Sequence, residues 1–218
     1  RRIALIEKKM DEFAGLLRRQ DVFNNVIGNA RGKPADEAIA YLEALMELIN
    51  KNDELKQDRN ITDEVNFALA ELYYGKNNLK KAATFLNKIK LTKPPAGDAD
   101  SMAIVIMRLI LSAQIELQEG KRGNIGKAVN RVAKAIKFSI NLNNIYKDRR
   151  AAGSIFSALQ NSIAALERSD IPAGEAEALR NKILSVAIKS IPLMTDKAES
   201  AAIIRFVLKS PDDAGKLL

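Results

Sequence analysis

The chain has 218 residues, 47% of them hydrophobic and 28% charged, with 11 Gly and 6 Pro. That is enough apolar material for one or two domain cores, and too little Gly and Pro for a collagen-like or low-complexity chain. Cysteine and histidine are both missing, which removes disulfides, thiolate zinc sites, cysteine nucleophiles and the commonest general base.

The net charge of +8 and a sequence pI near 9.6 fit either an anionic partner or plain solubility, so the charge distribution must decide. The first residue is Arg1 rather than Met. The chain therefore reads as a fragment or processed form, in which a removed targeting segment would leave no trace. The compartment stays open between cytoplasm and, after loss of a signal segment, an extracytoplasmic space. The most apolar run, Met102 to Leu117, is interrupted by Arg108, Gln114 and Glu116. It falls short of the ~20 residues of a membrane span and reads as a buried helix.

Taken in chain order, the apolar pattern is helical nearly throughout, and alternating strand-like runs are missing. The spacing predicts helices near 2–19, 21–29, 35–50, 63–76, 79–91, 101–119, 125–140, 143–167, 174–190 and 196–208. Breakers at Gly32-Lys33-Pro34, Pro94 to Gly97, Gly120 to Gly126, Ile171 to Gly174 and Pro192 separate them. Thr62 ahead of Asp63 and Glu64, Asp100 or Ser101, and Thr195-Asp196 are the expected N-caps, where short polar side chains and early acids favour a helix start. One continuous helical body over residues 1–218 is expected, with Pro94 to Gly97 as its most obvious joint.

The stretch from Asn66 to Pro95 is the most informative. Its first helix puts Leu69, Ala70 and Tyr73 on one face. A polar turn, Gly75-Lys76-Asn77-Asn78, follows. The second helix puts Ala82, Leu86 and Ile89 at i, i+4 and i+7, and Pro94 ends the unit. Small residues at 70 and 82 let two antiparallel helices approach, and the larger ones fill the remaining space.

In this register the segment resembles a tetratricopeptide repeat, although Asn66 stands where the family often has a large aromatic and Asn77 where it usually has a glycine. Asn tolerates the left-handed conformation such a turn needs. Weaker echoes are Ala38, Leu42 and Leu45 upstream, then Leu111, Ser112 and Ile115 with Ala128, Val132 and Ala135, and Ala176 with Ile183. These give a clear repeat at 63–96 and weaker ones at 21–51, 101–140 and 143–191. The spacings of Ala38, Ala82 and Ala128, 44 and 46 residues, exceed the family period of about 34 and overlap other helical-pair repeats. The resemblance implies an all-α fold, an α-solenoid of antiparallel helix pairs in a right-handed superhelix. It places Glu64, Phe67, Glu71 and Tyr74 in a partner-binding groove. Packing on the preceding repeat is the competing reading for Phe67 and Tyr74.

Catalysis finds little support. Glu43 and Glu47 lie one turn apart on a helix that also carries Asp36 and Glu37, the signature of a solvated face. Gly120 to Lys127 lacks the glycine spacing, hydroxyl residue and preceding strand of a phosphate loop. No cofactor or metal is expected.

Charge is uneven. Asp36 to Glu71 holds ten acids against three bases, and Gly120 to Arg150 nine bases against one acid. Lys127, Arg131, Lys134 and Lys137 form one helical stripe, which Lys121, Arg122, Lys147, Arg149 and Arg150 extend. The aromatics nearby are Phe138 and Tyr146, a thin basis for stacking nucleic-acid bases. The expectation is a non-catalytic scaffold that binds another protein, or another copy of itself, through its groove and charged surfaces. The alternative is a nucleic-acid or anionic-lipid binding module using the basic stripe.

Overall fold

The computed structural model describes residues 12–89, 98–193 and 201, apart from the side chain of Arg122. Among the described residues every regular element is helical. Residues 12–17 form α1. It is followed by α2 (Gln20–Arg31), α3 (Ala35–Lys51), α4 (Asp53–Gln57), α5 (Arg59–Gly75), α6 (Leu79–Lys88), α7 (Ala99–Gln118), α8 (Arg122–Tyr146), α9 (Ala152–Glu167) and α10 (Ala173–Ser190), then a 3₁₀ turn at Ile191–Leu193. The chain divides into two compact units, Arg1–Thr92 and Lys93–Leu218. Pro94, the Thr195-Asp196 cap and the helix expected at 196–208 lie outside the described residues, Ala201 excepted.

In the first unit, short turns fold α2 on α3 and α5 on α6, and α5 also touches α2, α3 and α4. The sequence of α5 suits that central place. Residues Val65 to Ala70 are all buried, so apolar or small side chains face every direction. Leu69, Ala70, Tyr73, Ala82, Leu86 and Ile89 are buried, as are Ala38, Leu42 and Leu45 on α3. Ala70 and Ala82 are completely covered. The turn between α5 and α6 needs a left-handed residue, and Asn77 supplies it at φ 57°. The side chain of Asn78 then caps α6 by accepting from the Lys81 N–H.

In the second unit, α7 packs on α8 and α9, α8 on α9 and α10, and α9 on α10. Ile106, Ile110, Ala128, Val132, Ala135, Ile155 and Ile183 belong to one continuous core. Of the α7 echo, Leu111 and Ile115 are buried, while Ala113 rather than Ser112 is the fully covered small residue.

Three boundaries differ from expectation, each for a local reason. The helix containing Thr62 starts earlier: Asp58 is its cap, accepting from the N–H groups of Asn60 and Ile61. Thr62 lies inside the helix and its hydroxyl donates back to the Asp58 carbonyl at 3.0 Å. Asp98, ahead of both expected candidates, caps α7 by accepting from the N–H groups of Asp100 and Ser101. The polar stretch after Ile140 does not break α8, because Leu142 is buried and anchors another turn. The helix ends instead at Lys147, which is left-handed at φ 58°.

Candidate protein-binding surfaces

The expected groove set runs along α5. Phe67 is only 5% exposed and belongs to the core of the first unit. Glu64, Glu71 and Tyr74 are partly exposed, and Glu64 already has an interaction partner. Glu71 accepts from the Arg31 guanidinium of α2 at 3.1 Å. Burial pushes its carboxyl above the ordinary glutamate range, and Arg31 only partly offsets this. Tyr74 is likewise pushed up by burial.

Beside this set Tyr73 links three helices. Its hydroxyl donates to Oε1 of Glu43 on α3 at 2.6 Å and accepts from Lys81 Nζ on α6 at 3.1 Å. Its ring stacks on Phe85 with centroids 5.5 Å apart and planes within 6°. Burial first, then the Glu43 hydrogen bond, raises the phenol pKa. The network is a structural pin, since all of its groups satisfy one another.

The basic stripe on α8 is less cationic than its residues suggest. Arg131 is held by Glu116 of α7, Nε lying 3.0 Å from both carboxylate oxygens. Arg150 pairs with Asp148 at 2.6 Å and Asp100 at 3.0 Å, and these partners raise its pKa. Lys121 lies 3.5 Å from Glu119. The Nε of Arg149 donates to the Asn143 side chain. Lys127, Lys134 and Lys137 are exposed and carry no ion pair among the described residues. Lys134 sits over the Phe138 ring at 5.7 Å. Arg122 opens α8, and its side chain is outside the described part.

Clefts open among the described residues of the second unit, and two of them have a mixed polar and apolar lining. One, of about 440 Å³, lies among Gln114, Gln118, Asn161 and Arg168, with Leu117 and Ile125 beneath. The other, of about 390 Å³, runs between α8 and α10 over Ala133, Ile136, Ile140 and Val186, with Lys137 and Lys189 at its rim. Among the described residues, no group of three acids forms a metal site and no helix is long and apolar enough to cross a membrane.

No protein-family model matches the chain, and no curated protein matches it significantly. The class defined by the fold is therefore an all-helical protein of two compact units.

Sequence reasoning missed the α8–α10 groove and the Glu43 and Glu116 partnerships. A signal existed for one of them: Glu116 and Arg131 lie on either side of the Gly120 turn, where a hairpin brings such residues together. Nothing in the local pattern joins Lys189 to Lys137, which are 52 residues apart.

Proposed function

We propose that the protein is a non-catalytic scaffold, a tetratricopeptide-like α-solenoid of antiparallel helix pairs that binds another protein. The observation that carries this reading is the order of contacts within each unit. Each hairpin touches the first helix of the next pair: α2 and α3 meet α5, and α7 and α8 meet α9. Repeat arrays bury their cores by such nearest-neighbour stacking, and the stacked pairs present a rigid extended surface. Right-handed superhelical stacking of the helix pairs within each unit is part of the proposal. Glu64, Glu71 and Tyr74 form the groove contacts, with Phe67 supporting them from beneath.

The test is affinity capture with the wild type and with a Glu71→Lys/Tyr74→Ala double variant, both checked for folding by circular dichroism. A protein bound by the first and lost by the second supports the groove. Identical captured sets from two folded proteins overturn it.

Lys127, Lys134 and Lys137, exposed and without an ion pair among the described residues, favour one second reading, binding of an anionic polymer or membrane. That reading predicts affinity that falls steeply with salt and is lost in a Lys134→Glu/Lys137→Glu variant. Absence of binding to nucleic acid and to anionic vesicles at low salt rejects it.

A further inference from the structure

The described lining of the α8–α10 groove belongs to the second unit alone. Ala133, Ile136, Lys137, Ile140 and Asn141 line it from α8. Their spacing, i, i+3, i+4, i+7 and i+8, is that of a single helix face. Val186 and Lys189 line it from α10, about one turn apart. The lining is graded. Ile136 and Val186 are buried, Ala133 and Ile140 are half-buried, and Lys137, Asn141 and Lys189 are exposed. The groove therefore has an aliphatic floor and two ammonium groups at its mouth, one from each wall. Neither lysine has an acidic partner among the described residues, and Asn141 makes no side-chain hydrogen bond there. None of the described lining residues is acidic or aromatic.

Size and chemistry together select the occupant. A helix about 10 Å across fills roughly 420 Å³ in a single turn, so a groove of about 390 Å³ encloses no more than one turn of a partner helix. The same volume lies within the range of small-ligand clefts, about 300–1,000 Å³. The lining then narrows the ligand class. A nucleotide base finds no aromatic platform to stack on. A small inorganic anion leaves the aliphatic floor in water, and a cation is repelled by both lysines. One aliphatic chain ending in an anion complements both parts.

We infer that the α8–α10 groove binds a single-chain amphipathic anion, with the chain on Ala133, Ile136, Ile140 and Val186 and the head at Lys137 and Lys189, where the Asn141 amide donates a further hydrogen bond. Burial of the chain supplies most of the affinity, and the ammonium groups orient the ligand and exclude cationic chains. A lysine is a point charge with three donors, so the head group is a carboxylate, as in a fatty acid, or a phosphate monoester of the same chain length. The site goes beyond the protein-binding reading and does not depend on it. It is also distinct from the anionic-polymer reading, because Lys127 and Lys134 do not line the groove.

Isothermal titration calorimetry of the full chain with decanoate, decyl phosphate, decyltrimethylammonium and acetate tests it, each below the concentration at which it forms micelles. Saturable binding of one decanoate or one decyl phosphate per chain is expected, and the tighter of the two identifies the head group. Acetate and decyltrimethylammonium should show no saturation. Lys137→Gln/Lys189→Gln should weaken binding at least about tenfold, the loss of charge-assisted contacts to the head. Lys33→Gln/Lys56→Gln removes the same charge from the first unit and should leave binding unchanged. Ala133→Phe fills the floor with both lysines still in place, and should abolish binding in a protein whose circular dichroism matches the wild type. Absence of saturable binding by either anion overturns the inference, as does equal binding of the cationic chain. So does wild-type affinity in the Lys137→Gln/Lys189→Gln variant or in folded Ala133→Phe.

Discussion

The Tyr73 hydroxyl and Oε1 of Glu43 are 2.6 Å apart although thirty residues separate them in the chain. The bond ties the second helix of one hairpin, α3, to the first helix of the next, α5. Replacing Tyr73 by Phe keeps the ring that stacks on Phe85 and removes only the hydroxyl. The expected loss is about 1 kcal/mol, since Glu43 is exposed and water competes for it. The phenol is raised above its ordinary value near 10, so the neutral form favours the folded state. This stabilisation is complete below that ordinary value and is lost as pH rises through the folded one. Chemical denaturation of wild type and Tyr73→Phe should give curves that converge above about pH 10.

Asp148 should act at the opposite end of the scale. Its carboxylate accepts from the Arg150 side chain at 2.7 Å and from the Arg150 backbone N–H at 3.0 Å. The Arg150 hydrogen bond outweighs burial and holds its pKa below the ordinary aspartate range. A lowered acid stabilises the fold above that ordinary range and loses its effect as pH falls through the lowered value. Asp148→Asn is expected to cost about 1 kcal/mol at neutral pH. The gap from wild type should close in acid, as thermal melts from neutral pH down through the aspartate range would record.

The start of α5 gives a sharper contrast. Asp58→Ala removes the acceptor for two backbone N–H groups and should cost about 1 kcal/mol. Thr62→Ala removes a hydroxyl that donates to a carbonyl inside the helix and should stay within about 0.5 kcal/mol. Equal losses in urea unfolding would return the capping role to Thr62.

Two left-handed positions predict opposite outcomes. Gly120 sits at φ +66°, and a methyl group added there would meet only open space, so Gly120→Ala loses about 1 kcal/mol from backbone strain alone. Lys147 holds φ 58° with a side chain, so Lys147→Gly should relieve strain and gain up to about 1 kcal/mol. Differential scanning calorimetry of the pair checks both signs.

Much of this architecture was legible because helices announce themselves by periodicity. The Ala70 and Ala82 pattern and the Asn77 turn could be read directly, and both alanines are fully buried. The short α4 was missed because Asn52 to Asp58 contains only one apolar anchor, Leu55, among polar residues. The Thr62 cap was misplaced because Asp58 and Thr62 both begin plausible polar starts, and only the buried Ile61 shows that the helix is already under way. The candidate surfaces were less readable. Formal charge along a helix says nothing of acids brought over from a neighbour, and Glu116 and Asp100 neutralise Arg131 and Arg150 from another helix. The residues that form the α8–α10 groove come from distant segments and share no local pattern.

Because α5 is walled in by four other helices, the first unit has no route to opening that spares it. Its amides should be the last of that unit to trade protons for deuterons, at a rate set by complete unfolding of the unit. The five-residue α4, tethered mainly by Leu55, exchanges long before, so a deuterium time course would rank these helices by how many neighbours each must leave.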